Sequence, residues 1–330
     1  MADKDFSIYI KTCKSSEITD SEWSSYIYNF NKTFYKNFDL KYFKHKYLST
    51  SDGYSFHSFL IDNNKNVVGA CTLIPTLYKI SGKERKIALA VDLFVLPEYR
   101  NDSLNFLKLY LNLKKIIAGV GIVAVIAIPN SNSYLYWKNV VKFKDVGTLS
   151  YWAYPVRLAN ITKRFSFLNQ LSLIYAKICL SLNTIVSLAF NSKEKSSSYE
   201  IDVNEQFMNA RFYGEYISII DNDVSCYYKI TDEDGVKTAY LIYARENGTT
   251  SYKALIKGVQ MIMKKNKVDL ILYIGTLRIF QLLFFRVPKK LEPKTLPLIC
   301  DILTKENKEI YKDIYDLTNW DFGLLNYDVR

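Results

Sequence analysis

The run Ile87-Ala88-Leu89-Ala90-Val91 is apolar throughout, and so is Ile122-Val123-Ala124-Val125-Ile126-Ala127-Ile128. A strand with one wet face alternates apolar and polar side chains, whereas unbroken runs like these suit strands buried on both faces. Between them lie the breaker Leu96-Pro97, candidate helix caps at Asp102 and Ser103, a helical stretch to about Ala118, and the stop signals Gly119 and Gly121. Two buried strands joined by one helix make a βαβ crossover, so they are expected to run parallel in one sheet.

The segments around this unit extend it. Residues 18–48 read as helix in two pieces, 54–62 and 67–80 as strands of a hairpin, and 86–95 as the next strand. Pro75 marks an expected bulge or bend, because proline removes a ladder donor. A short helix over 131–140 and a strand over 148–156 follow. Helix, three antiparallel strands, helix, strand, helix, strand is the order of an α+β domain with a mixed sheet. Farther on, 225–230 and 238–244 form a hairpin, 251–265 a helix and 268–274 a buried strand, with strand signals at 296–302 and 324–329. That order echoes the first, which suggests a diverged internal duplication. Asn191 to Ser198 is polar and linker-like, and it follows a largely apolar stretch from Phe165 to Phe190. The expected layout is a first domain over 1–158, a connecting helix and linker over 159–198, and a second domain over 199–330. The apolar stretch is long enough to cross a bilayer, but polar residues interrupt it at several angles, so it reads as a buried connecting helix with membrane contact the lesser alternative.

Charge narrows the class of ligand. The 330 residues carry a formal net charge of +11. Seven of those charges lie in residues 1–150, four in 151–200 and none in 201–330. An anionic ligand is therefore expected in the first two thirds of the chain. Lysines interleave with aromatic residues from Phe30 to Tyr47. Such a run can bind single-stranded nucleic acid, but an amphipathic helix pair with an aromatic core explains it more simply, and no nucleic-acid partner is expected. The five cysteines are scattered without a CxxC pair, and His45 and His57 are the only histidines. Neither a disulfide framework nor a metal site is expected. The amino-terminal residues lack an apolar signal core, which makes a cytoplasmic location the default.

The stretch richest in chemistry is Val91-Asp92-Leu93-Phe94-Val95-Leu96-Pro97-Glu98-Tyr99-Arg100, continuing Asn101-Asp102-Ser103-Leu104-Asn105. A central strand enters a tight turn and then a helix N-terminus beside an arginine, where free N–H groups favour an anion. The pattern resembles motif A of the GCN5-related N-acetyltransferases, with Asp92, Val95, Pro97, Tyr99 and Arg100 at matching positions. Residues 122–128, Asn130 and the helix ending Trp137-Lys138-Asn139-Val140-Val141-Lys142-Phe143 resemble the family's next strand, its following asparagine and its next helix. Upstream, Phe43 to Leu48 and Val67 to Ala70 are similar to a helix end and the opening of a strand in that family. The likeness covers roughly residues 5–157.

The resemblance implies two acetyltransferase-like α+β domains, the second degenerate, and direct acyl transfer from acetyl-coenzyme A to an amine or hydroxyl. It places the donor against Phe94, Val95, Arg100, Asn101, Asp102, Ser103, Leu104, Asn105, Asn130 and Ser133. A main-chain N–H near Phe94 or Val95 would polarise the thioester carbonyl. Asp92 is the candidate base, with a buried structural carboxylate as the equal alternative. His57 is a lesser candidate base and more simply a core histidine. The departures are specific. Ser103 and Asn105 stand where glycines are usual, Asp102 adds a negative charge, and Trp137 stands where a tyrosine acid is usual, so Tyr134 or Tyr136 would have to replace it. The carboxyl-terminal stretch Asn319 to Arg330 resembles tandem acyltransferases associated with bacterial surface polysaccharides, which implies an amino sugar or a nucleotide-linked amino sugar as small-molecule acceptor. Arg286, Lys289 and Lys290 would then meet a phosphate or form a solvated basic loop. Two other readings remain: a non-catalytic binding protein on degenerate folds, and a tRNA-dependent aminoacyl transferase.

Overall fold

The computed structural model describes residues 8–100, 102, 104–165, 167–193, 197–214, 216–221, 223–303 and 311–327. The chain begins with β1 (Ile8–Lys14), α1 (Asp20–Phe34), α2 (Leu40–Leu48), β2 (Phe56–Asp62), β3 (Val67–Ile80) and β4 (Lys83–Val95). It continues with α3 (Leu104–Ile117), β5 (Ile122–Ala127), α4 (Ser131–Leu135), a π-helical turn over Tyr136–Val141, and β6 (Lys144–Thr148). Next come β7 (Ser150–Pro155), α5 (Leu158–Thr162), α6 (Leu168–Ala189), β8 (Tyr199–Ile201), α7 (Glu205–Arg211) and β9 (Ile217–Asp221). The hairpin β10 (Val224–Glu233) and β11 (Val236–Glu246) leads to α8 (Tyr252–Lys265) and β12 (Leu270–Gly275). Short β13 (Phe285–Arg286), β14 (Pro297–Ile302) and β15 (Trp320–Asp321) follow.

Local sequence accounts for the helix starts. Thr19 and Glu22 form a reciprocal capping box at α1, and Asp39 caps α2 through the Tyr42 amide. Trp23, Tyr26 and Phe30 on α1 and Phe43 and Tyr47 on α2 share a buried aromatic cluster with Phe59 and Phe94 of the sheet. The other face of the sheet carries α3, whose Leu109, Tyr110, Leu113 and Ile117 pack with Phe56, Leu60, Val125 and Trp137. Alternate residues of β2 thus serve opposite cores, which is why the sheet is apolar on both faces.

Two compact units divide the chain, but not as the consecutive stretches 1–158 and 199–330. The first comprises 1–147, 201–211 and 296–319; the second comprises 148–200, 212–295 and 320–330. The cause is an exchange of strands. In the first unit the order is β1-β2-β3-β4-β5-β14-β6, with β4 and β5 parallel and β14 antiparallel to β5. In the second it is β13-β7-β12-β11-β10-β9, with β11 and β12 parallel and β7 antiparallel to β12. The same pattern, an antiparallel run, a crossover helix and a parallel strand, is built twice. In each sheet the seat beyond the crossover strand is taken by a strand from the other half of the sequence.

Three further expectations are corrected. Pro75 lies in regular register opposite Ala88, and the β3–β4 bulge falls instead opposite Cys71. Residues 324–327 form a turn rather than a strand, and Asp328 and Val329 lie outside the described residues. α6 is not a buried connector: it seats one side against α8 and leaves its large aliphatic side chains exposed.

Candidate active site

The bulge in β4 organises the site. Val91 pairs with Thr72 and Phe94 with Ala70, so Asp92 and Leu93 together face Cys71 alone. Asp92 takes φ 55° to make this possible, a left-handed conformation that aspartate adopts more readily than most residues. A bulge bends its strand and sharpens the local twist. The parallel β4–β5 ladder ends at Ala90–Ala127, where β5 itself stops, while β4 runs on to Val95. β4 therefore extends past the end of β5 on its way to the turn that feeds α3.

The same bulge turns the Asp92 side chain into the aromatic core, where it is buried. Its Oδ2 accepts a short hydrogen bond from the Tyr47 hydroxyl and lies 2.6 Å from Lys46 Nζ. The Tyr26 hydroxyl is 2.6 Å from that of Tyr47. The carboxylate therefore neutralises an ammonium that is itself only 10% exposed. A proton taken up by Asp92 would strip that ammonium of a close countercharge in a buried setting. Lys46, Tyr47 and Tyr26 were not singled out in the sequence. The signals there were the helix end at Phe43 to Leu48 and the lysine–aromatic run from Phe30 to Tyr47.

His57 is fully buried between two hydroxyls, with Ser15 Oγ 2.8 Å from Nε2 and Thr72 Oγ1 3.0 Å from Nδ1. Burial, reinforced by the Lys46 charge, pushes its pKa down to about 3. It is neutral at ordinary pH and packs edge-on against Tyr47 as a core residue. Four buried cysteines are equally unreactive. Burial raises Cys13, Cys71 and Cys226 to about 12 and Cys300 further.

The loop after β4 is stitched to itself. Arg100 Nε donates to the Val95 carbonyl at 2.7 Å while the side chain stays exposed. Asp102 Oδ1 accepts the Leu104 amide at 2.8 Å, and its Oδ2 meets Lys108 Nζ at 2.8 Å. The Lys108 hydrogen bond, then the Leu104 amide, hold this carboxyl below its usual range. The anion at the start of α3 is thus the protein's own. Asn105 is buried beneath the loop and donates to the Tyr99 carbonyl at 3.1 Å, so it shapes the turn from below rather than lining it. Leu104 is half exposed. Asn101 and Ser103 lie outside the described residues. Phe94 sends its ring into the aromatic core, which leaves only its main chain at the gap, and Val95 is partly buried.

Across the gap, Asn130 caps α4 by accepting the Ser133 amide at 2.9 Å, and Ser133 Oγ returns a hydrogen bond at 3.0 Å. Trp137 is buried among Phe106, Tyr110 and Phe143. The two candidate tyrosines separate. The Tyr134 hydroxyl donates to Asp145 at 2.6 Å and accepts from Lys138 at 3.2 Å. Tyr136 is exposed, with its ring 5.8 Å from Phe106 in the first turn of α3. Tyr136 thus has its ring beside the start of that helix, while Tyr134 packs on the core that α3 shares and has its hydroxyl engaged by Asp145. A separate cleft of about 400 Å³ is lined by His45, Ser49, Gln206 and Asn209. His45 and Lys46 are successive residues of α2 and leave it about 100° apart, so cleft and buried ion pair lie on different sides of the helix.

Among the described residues no cluster of metal-ligating side chains occurs. No family model matches the sequence, and no curated protein matches it. Solved structures do. An Enterococcus faecalis V583 protein of unknown function, called a probable N-acyltransferase, aligns with a TM-score of 0.56 at 12% identity, covering 90% of this chain and 73% of that one. A GCN5-related N-acetyltransferase from Kribbella flavida gives 0.55 at 11%, covering 89% and 71%. Eis1 from Mycobacterium abscessus gives 0.51 at 9%, covering 90% and 74%. At such identities the likeness defines the fold: α+β, with two mixed sheets of the GCN5-related N-acetyltransferase kind.

Proposed function

We propose that this chain is an acyl-coenzyme A-dependent acyltransferase, with acetyl-coenzyme A as donor and an amine, on an amino sugar or a nucleotide-linked amino sugar, as acceptor. One observation carries the reading. The pairing of the bulged β4 with β5 ends at Ala90–Ala127, just before the Pro97-Glu98-Tyr99-Arg100 turn delivers the chain to α3. Beyond Ala90 the strand β4 runs past the end of β5, and an extended amide-bearing ligand suits such an edge. Arg100, the Leu104 amide and the start of α3 suit phosphates, except that Asp102 already takes that amide. Ser133 and Asn130 would border the far side of the gap.

The donor supplies an activated thioester. A Phe94 or Val95 N–H would polarise its carbonyl. The acceptor nitrogen, once neutral, forms the new C–N bond as the C–S bond breaks. Tyr136 is the phenol that would hand a proton to the departing sulfur, and the proton shed by the acylated nitrogen would return through solvent to the phenolate. Asp92 holds Lys46 and Tyr47 of α2 to the sheet, a positioning role.

Isothermal titration with coenzyme A and acetyl-coenzyme A tests the donor site, and an acyl-transfer assay against a panel of nucleotide amino sugars tests the acceptor. Asp102→Asn keeps the helix cap and removes the charge. It is expected to tighten coenzyme A binding about two- to fivefold. Unchanged affinity would remove the loop from the site. The Asp102 cap and the buried Trp137 also favour a second reading, a non-catalytic binding protein, which predicts binding without turnover.

A further inference from the structure

α6 is built inside out for a helix in water. The side facing α8 carries Ser172, Ala176, Leu180, Asn183 and Ser187. The opposite side carries Leu171, Ile174, Ile178, Leu182, Ile185 and Leu188, each more than half exposed and Leu188 81% exposed. At 100° per residue these six fall within an arc of about 120°. Tyr175 extends it. Ser181 interrupts the arc, but its hydroxyl is spent on the Lys177 carbonyl at 3.0 Å within the helix. A helix of a water-soluble protein places its large side chains inward. Here the small ones are inward, which lets the helix approach α8 closely, and the large ones await a partner.

Charge and aromatic placement say which partner. No Asp or Glu occurs between Asp145 and Glu194. Lys163 and Arg164 precede the helix, Lys177 borders the apolar arc, and all three are exposed. Phe165 and Phe167 stand exposed at one end and Phe190 at the other. Ser192 Oγ donates to the Phe280 carbonyl at 2.5 Å, which brings a further exposed ring to the C-terminal end. Cations beside an apolar stripe with aromatic ends match the interface of an anionic bilayer. A second copy would set like charges against one another with no acidic residue to answer them.

We propose that the outward face of α6 seats the protein on an anionic lipid surface, with the helix lying in the interface plane. Although α6 is long and apolar enough to cross a membrane, its inward side is occupied by α8, with Tyr252 hydrogen-bonded to Asn183. Lying flat satisfies both sides, and it does not depend on the acyltransferase reading.

Sedimentation of the full chain with vesicles tests this, using phosphatidylcholine alone and phosphatidylcholine mixed with phosphatidylglycerol. The protein is expected to pellet with the mixed vesicles and far less with the neutral ones. I178E/L182E is expected to remain in the supernatant with an unchanged melting temperature, since both positions are exposed. K163A/R164A is expected to weaken binding to the mixed vesicles roughly 20- to 30-fold. The proposal is overturned if wild type stays soluble with both vesicle types, or if neither variant loses binding. It is equally overturned by a lipid-free dimer in sedimentation velocity that I178E/L182E dissociates.

Discussion

Asp92 shows how much one backbone angle can decide. Its left-handed φ makes the bulge in β4, and the same turn buries the carboxylate on Lys46. Asp92→Asn should therefore act on stability as well as on turnover. It removes a close countercharge of a buried ammonium, a loss of up to about 3–5 kcal/mol. Urea unfolding measures this, and Asp92→Asn with Lys46→Met should recover most of it. If the single variant is as stable as wild type, the ion pair is not holding α2 to the sheet. His57 makes a separate prediction. Its folded pKa of about 3 lies below the ordinary 6.5, so the unfolded chain binds a proton that the folded one refuses. Its contribution is complete above pH 6.5 and is lost as pH falls toward 3, by up to about tenfold in the unfolding constant per pH unit. His57→Gln should flatten that slope in denaturant titrations at pH 7, 6 and 5. The motif around Asp92 was readable in the sequence. Its partners were not, because Lys46 and Tyr47 lie on a helix some 45 residues away and look there like any amphipathic surface.

At the level of elements, regular patterns were the legible part. The capped aromatic helices α1 and α2, the apolar strands β4 and β5, and the β10–β11 hairpin stand close to where periodicity places them. Side-chain chemistry at the element ends was less legible. Tyr134 and Tyr136 are two residues apart, and the helix alone does not say which of them faces α3. The structure does, through the Phe106 contact of Tyr136 and the Asp145 and Lys138 contacts of Tyr134. Tyr136→Phe is thus expected to lower kcat by about 10²-fold or more with little change in KM, as removal of a general acid does. Tyr134→Phe should leave kcat near wild type. The reverse ranking in a steady-state assay would reassign the proton donor. β12 ends at a position where only glycine fits. A Cβ on Gly275 would stand 2.5 Å from the Phe322 carbonyl. Nothing in the sequence around Gly275 announces that approach.

The whole molecule is a doubled fold whose halves exchange strands. Composition placed a boundary at the polar linker near residue 195, and composition detects flexible chain, not partnership. β14 inserts beside β5 with Leu298, Ile299 and Cys300 fully buried in the first unit. Cutting the chain after residue 295 should therefore destabilise the amino-terminal unit, although it leaves residues 1–158 intact. The expected result is loss of cooperative unfolding by calorimetry. A truncated protein that melts like the full chain would show that β14 is dispensable.

The sequence by itself determined what depends on neighbours in the chain. That covers the elements, the βαβ crossover, the strand–turn–helix that suits an anion, and the concentration of positive charge in residues 1–200. Tertiary structure alone decided what depends on contact between distant segments. That covers the burial of Asp92 on Lys46, the Asp102 carboxylate at the start of α3, the sheet in which each of β7 and β14 takes its seat, and which side of α6 faces out. The reason is physical. Propensity and periodicity act over a few residues, whereas a countercharge, a strand partner or a covered face is supplied by chain far away, and a single sequence carries no mark of which pieces will meet.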